Sequence, residues 1–130
     1  MGRKALSIGI NDYTAMPLSL CVSDATAMHD ALQRMGFDSQ LATNCDIDGL
    51  HKATRTFLSS LEPGDLAVFY FAGHGTEASV LQAGKHHSSN WLLAREVPPD
   101  NAHLPRYAID AHSLLAEMDG RGTYFNAFIL

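Results

Sequence analysis

The chain has 130 residues, is 46% apolar and 18% charged, and carries a formal net charge of −5, the make-up of one ordinary globular domain able to bury a core. The acidic balance and the lack of a basic stripe argue against nucleic acid and anionic membranes as partners, and no apolar run approaches the roughly 18 residues of a membrane span. The basic start Met1-Gly2-Arg3-Lys4 lacks the apolar stretch of a secretory signal, and Cys21 and Cys45 make neither a disulfide framework nor a metal-ligand spacing, so a reduced, cytoplasmic setting is expected.

Lys4 to Ile10 is a first strand, apolar enough for the interior, and Asn11-Asp12-Tyr13-Thr14 opens a loop with Asx-turn chemistry. Ser23 is the expected cap of a helix that ends at Gly36, with Ala25, Met28, Leu32 and Met35 on its buried face. A strand over Phe37 to Thr43 follows. The next helix runs from about Ile47 to Leu61, capped by Asn44 or Asp46, and packs through Leu50, Ala53, Phe57, Leu58 and Leu61. After the turn signal Pro63-Gly64-Asp65, the run Leu66 to Phe71 is apolar on both faces, as in an interior strand of a parallel sheet. Thr76 to Ser89 reads as a long polar loop, Asn90 to Ala94 as a short extension or hairpin strand, and Pro98-Pro99-Asp100-Asn101 as a break. Asp110 caps a third helix with Ala111, Leu114, Leu115 and Met118 on one side; Gly120-Arg121-Gly122 ends it, and Tyr124 to Leu130 is the last strand. The order β-α-β-α-β-loop-α-β predicts one domain over residues 1–130, a three-layer α/β/α sandwich with a mostly parallel sheet. Because the sequence stops inside an interior strand, the domain reads as incomplete at its C-terminus.

Chemistry is expected where the central strand ends. Gly73-His74-Gly75 follows the apolar run directly, and in open α/β sheets ligands bind at the carboxyl ends of the strands. A histidine there suits proton transfer, its ordinary pKa of about 6.5 lying near working pH. The flanking glycines would allow backbone angles closed to other residues and let a substrate approach the main chain. The bland alternative is a tight turn carrying a solvated imidazole. The other histidines, His29, His51, His86, His87, His103 and His112, are scattered, and His86-His87 reads as solvated in the polar loop. Nothing in their spacing suggests the three or four convergent ligands of a zinc site, so no metal is expected.

Four ordered blocks, Ala5 through Tyr13, Leu20 through Ala25, Gly36-Phe37, and Gly64-Asp65 with Phe69 through Gly75, resemble the p20 region of caspase-like cysteine peptidases, notably metacaspases, paracaspases and their bacterial relatives. The resemblance covers nearly the whole chain and is weakest over residues 76–106. It implies that His74 is the catalytic histidine and that the Gly75 N–H binds the oxyanion of the tetrahedral intermediate, a kind of donor worth roughly 3–4 kcal/mol. It further implies that Asp24 binds an Arg or Lys side chain before the scissile bond, with Cys21 lining that pocket and not acting as nucleophile. Ala72 stands where many metacaspases carry serine and paracaspases carry alanine. Independently, a carboxylate in the first turn of a helix is held as an anion by the helix dipole, so Asp24 would stay charged to pair with a cation. The bland readings are a helix-terminal charge for Asp24 and a small buried hydrophobe for Cys21.

In the family, the nucleophilic cysteine and a second acidic residue of the basic-side-chain pocket follow the strand that here closes at Leu130. Neither Cys21 nor Cys45 takes that place. The resemblance therefore implies the histidine-bearing part of an endopeptidase cleaving after Arg or Lys, inactive as these 130 residues. Its partners would be a peptide or protein substrate and the missing C-terminal part of the same domain; no cofactor is implied, with calcium left open for the intact protein. The rival reading is a catalytically dead caspase-fold scaffold. A flavodoxin-like or receiver domain finds only Asn11-Asp12 in its favour, and an α/β-hydrolase would need a Gly-x-Ser-x-Gly elbow, which does not occur.

Overall fold

The computed structural model describes residues 2–96 and 98–129, with side chains through Tyr124. Among these the elements run β1 (Arg3–Gly9), α1 (Cys21–Arg34), β2 (Asp38–Thr43), α2 (Ile47–Ser60), β3 (Leu66–Ala72), β4 (Gly75–Gln82), β5 (Lys85–Leu93), a 3-10 turn (Asn101–Arg106), β6 (Ala108–Asp110), α3 (Ala111–Gly120) and β7 (Phe125–Ile129). Strands β2-β1-β3-β7 form a parallel sheet, and β4-β5-β6 form a second, antiparallel one.

Side chains alternate across β1 and β3, so each strand feeds both faces of the sheet. Toward α2 and α3 point Leu6, Ile8, Ala67, Phe69 and Phe71, which meet Leu50, Phe57, Leu58 and Leu61 of the α2 segment and Leu114 and Met118 of α3. Phe57 and Phe69, both 1% exposed or less, lie with ring centroids 6.5 Å apart, each such burial stabilising the fold by about 1.5–3 kcal/mol. Toward α1 the packing is thinner: Ala5 and Val68 meet Leu32, with Met28 and Phe37 half-buried against them. The α/β/α order of layers is the one the sequence predicts, and no helix among the described residues is long and apolar enough to cross a membrane.

Several local expectations are corrected. Helix α1 starts at Cys21, two residues before Ser23. No side chain of its N-cap residue Leu20 helps; Asn11 Oδ1 instead accepts the Val22 N–H at 3.1 Å from the end of β1. The first turn lies so close to β1 that a Cβ on Gly9 would come within 2.5 Å of the Cys21 carbonyl oxygen. Met35, expected on the buried face, is 60% exposed. Asp46, not Asn44, caps α2, accepting the Gly49 N–H.

The segment from Thr76 to Ser89 is a hairpin rather than a loop. Ala83 and Gly84 both take positive φ, 51° and 77°, the geometry of a two-residue turn whose twist suits paired strands. Ala78 and Val80 face inward with His87, Ser89 and Trp91 opposite. His87 is therefore half-buried and bonded rather than freely solvated: its Nε2 lies 2.5 Å from Asp110 Oδ2, and its ring meets Trp91 edge-on at 6.3 Å. Asp110 also accepts from the Ser89 hydroxyl, from the Ser113 hydroxyl at 2.8 Å and from the N–H groups of His112 and Ser113. One carboxylate thus caps α3 and fastens the hairpin to it.

Candidate active site

Strands β1 and β3 run parallel in register, Gly9 beside Ala72, so the segments that follow them emerge at the same end of the sheet. The loop after β1 lies over His74. It is held by bonds from the Tyr13 and Leu18 N–H groups to the Asn11 carbonyl, both 2.9 Å, from the Thr14 N–H to the Arg95 carbonyl at 3.1 Å, and from the Asn11 and Asp12 N–H groups to Asn44 Oδ1. In this loop Met16 takes a φ of 55°, a left-handed conformation that costs a non-glycine residue free energy and is sustained by its surroundings. The Met16 carbonyl is 2.7 Å from His74 Nε2. A carbonyl only accepts, so Nε2 carries a proton, and in the neutral imidazole the lone pair is on Nδ1.

Tyr13 is the other contact of the imidazole. It is 3% exposed, and its ring centroid lies 4.4 Å from that of His74. Its hydroxyl accepts the His74 N–H at 2.8 Å and donates to the Leu93 carbonyl at 2.9 Å. Burial pushes the Tyr13 hydroxyl well above the usual tyrosine range, against the opposing bond from His74, so it remains a donor at any working pH.

Asp24 lies in the first turn of α1, exposed, at the same carboxyl end of the sheet as His74. Cys21 is half-buried one turn before it. Burial and then the charge of Asp24 push the Cys21 thiol up, as burial and Asp46 do for Cys45; thiols so shifted stay protonated at neutral pH and make poor nucleophiles. Tyr70, one strand repeat below Ala72, is raised by burial and by the nearby Asp24 and Cys21. Asp24, Cys21 and the α1-facing side of Tyr70 and Ala72 therefore belong to one neighbourhood.

Gly73 and Gly75 do not take the left-handed angles expected of them, the positive-φ glycines being 36, 64, 84 and 122. What Gly73 needs is space, since a Cβ there would meet the Tyr13 hydroxyl at 2.5 Å. At position 75 the ladder decides the geometry. Leu93 donates to the His74 carbonyl at 3.0 Å, making 74 and 93 a bonded pair, and Gly75 faces Leu92; the alternation of an antiparallel ladder turns the Gly75 N–H away from β5. A cleft of about 250 Å³ opens here, lined by Phe71, Gly73, Gly75, Thr76, Asn90 and Trp91. Among the described residues no three His, Cys, Asp or Glu side chains are grouped to hold a metal ion.

The model of the peptidase C14 family, described as the caspase domain, matches residues 2–129. The chain belongs to the caspase domain family. No curated protein matches it. Among solved structures, protein GSU0716 from Geobacter sulfurreducens is similar to this caspase domain with a TM-score of 0.71 at 17% identity, over 99% of this chain and 50% of its own. That likeness concerns the fold, and the chain spans half the length of that solved protein. Of the residues that shape the site in this caspase domain, sequence reading missed Tyr13 and the Met16 carbonyl. Tyr13 stood within a motif block but without a role; a backbone carbonyl has no sequence signature at all.

Proposed function

We propose that the chain is the histidine-bearing part of a cysteine endopeptidase that cleaves after Arg or Lys, with the thiol supplied by residues following β7. In that role His74 Nδ1 takes the thiol proton, the thiolate attacks the scissile carbonyl, the Gly75 N–H receives the oxyanion, and the imidazolium returns its proton to the leaving amine. Asp24 pairs with the basic side chain before the scissile bond, and Cys21 and Ala72 border it. The observation that carries the reading is the imidazole itself, with Nε2 bonded to the Met16 carbonyl and Nδ1 left basic, at the carboxyl end of an interior strand.

The sheet register supports where the thiol would come from. β7 lies beside β3 in parallel, Tyr70 next to Ile129, so a continuation of β7 by about two or three residues reaches the level of Ala72 to Gly73, beside His74, with neighbouring strands about 4.8 Å apart.

The test is a longer chain carrying the residues after β7, assayed on peptides with Arg, Lys or Asp before the scissile bond. Cleavage is expected after Arg and Lys. His74→Ala should abolish it, and Asp24→Asn should lower kcat/KM on the Arg peptide by about 100-fold, the scale of losing a desolvated charge pair. Cleavage only after Asp, or full activity in His74→Ala, would refute the assignment.

A further inference from the structure

Resting on the reading of His74 as the proton-transfer group, we infer that Tyr13 is its positioning residue: the hydroxyl occupies a place in the β4–β5 ladder that fixes the His74 backbone, and the ring fixes the imidazole.

Leu93 donates its N–H to the His74 carbonyl at 3.0 Å. In an antiparallel ladder the residues of such a pair ordinarily exchange both bonds, which would send the His74 N–H to the Leu93 carbonyl. The Tyr13 hydroxyl stands in between, taking the His74 N–H at 2.8 Å and giving its own proton to the Leu93 carbonyl at 2.9 Å. A side chain from the loop after β1 thus replaces one rung of the ladder, at the residue where the chain leaves the parallel sheet for the antiparallel one. That rung is wider by one oxygen atom, so the N–H side of His74 is held away from β5 while its carbonyl stays bonded to Leu93.

Two further facts converge on the same hydroxyl. A Cβ on Gly73 would lie 2.5 Å from it, so that glycine makes room for Tyr13. The ring packs on the imidazole with centroids 4.4 Å apart and planes inclined by 56°, on the ring whose Nε2 meets the Met16 carbonyl. Backbone, ring plane and tautomer of His74 are set by three atoms or groups of one loop. Without the hydroxyl, the His74 N–H and the Leu93 carbonyl are free to pair directly, which draws residue 74 toward β5 and takes Nε2 off the Met16 carbonyl.

The experiment is imidazole ¹⁵N NMR of the 130-residue chain at alkaline pH, with His74 assigned through His74→Gln. The wild-type chain should show His74 as a single neutral tautomer protonated on Nε2. Tyr13→Phe should convert that signal to a mixture of tautomers, while Leu114→Ala, a core truncation on α3, lowers the melting temperature and leaves the tautomer alone. A wild-type tautomer in Tyr13→Phe, or an equal loss in Leu114→Ala, overturns the inference. Should Tyr13→Phe not fold, two measurements decide: Gly73→Ala, which crowds the hydroxyl, must produce the same mixture, and the wild-type His74 amide must exchange at least about 100-fold more slowly than a free amide. Neither readout involves peptide cleavage, so if the 130-residue chain keeps these signatures while the longer chain carrying the residues after β7 cleaves no peptide, the result counts against the proposed function and not against Tyr13.

Discussion

Asp65 sits at the opposite end of the parallel sheet from His74. It is 2% exposed and accepts from the Lys4 ammonium at 2.9 Å, the Glu62 N–H at 2.9 Å and the Gly2 N–H at 2.8 Å. The bond from Lys4 comes first, then that from the Glu62 N–H, and together with the Gly2 N–H they outweigh the cost of burial and hold its carboxyl down at about 2. A carboxyl lowered on folding stabilises the native state above its ordinary value of about 3.9 and loses that contribution as the pH falls through about 2. Thermal melts of Asp65→Ala should therefore lie below wild type by at least about 4 °C at pH 7, and the two should converge on acidification; a constant gap down to pH 2 would contradict the linkage. Of the residues proposed for the site, His74 was named from its residue type at the end of an interior strand and Asp24 from the family resemblance. Tyr13 acts on a backbone N–H 61 positions away, and the Met16 contribution is a carbonyl that any residue could present, so neither leaves a local pattern to read.

Helix α2 was legible as an element, since Leu50, Phe57, Leu58 and Leu61 repeat at helical spacing and all are buried. The β4–β5 hairpin was not. Its turn uses Ala83 at positive φ, where Asn or Asp would have signalled it, and its inward face carries His87 and Ser89 in place of the apolar residues that mark a strand. Those polar side chains turn inward because Asp110 receives them. At Asp110 burial opposes ionisation but is outweighed by bonds from Ser89, His87 and Ser113, which bring its carboxyl down to about 2. Asp110→Ala should cost α3 its cap, about 1–2 kcal/mol, and also leave His87 and Ser89 without their partner. Urea melts should show that loss, and amide exchange should quicken in β5 as well as in the first turn of α3. Faster exchange in α3 alone would mean that the carboxylate caps the helix without fastening the hairpin. The native-state benefit should persist at all pH values above about 4 and fade only toward pH 2.

Over the whole molecule the three layers were readable from element order, yet their unequal strength was not, because it depends on which residues of each strand point to which side. The α2 and α3 side joins both sheets in one apolar cluster that runs from Leu6 and Phe69 to Trp91, Leu104 and Met118. The α1 side has Ala5, Ala25, Leu32 and Val68 as its buried members. On that side Ser7 is fully buried with no hydrogen-bond partner for its hydroxyl among the described residues, a further loss of stability in that layer. The free energy needed to expose α1 should therefore be smaller than that needed to unfold β3 and α2. Native-state hydrogen exchange in low denaturant should show α1 amides opening in a separate step below the global one. Phe57→Ala, expected to cost about 3–5 kcal/mol, should lower the global step, whereas Leu32→Ala, about 2–3 kcal/mol, should act mainly on the α1 step. Since Asp24 and Cys21 ride on α1, the carboxylate proposed to select the substrate would lie on the layer most easily displaced, while His74 is fastened to the strongest. A single exchange step shared by α1, α2 and β3 would show instead that the thin layer is as firmly held as the thick one.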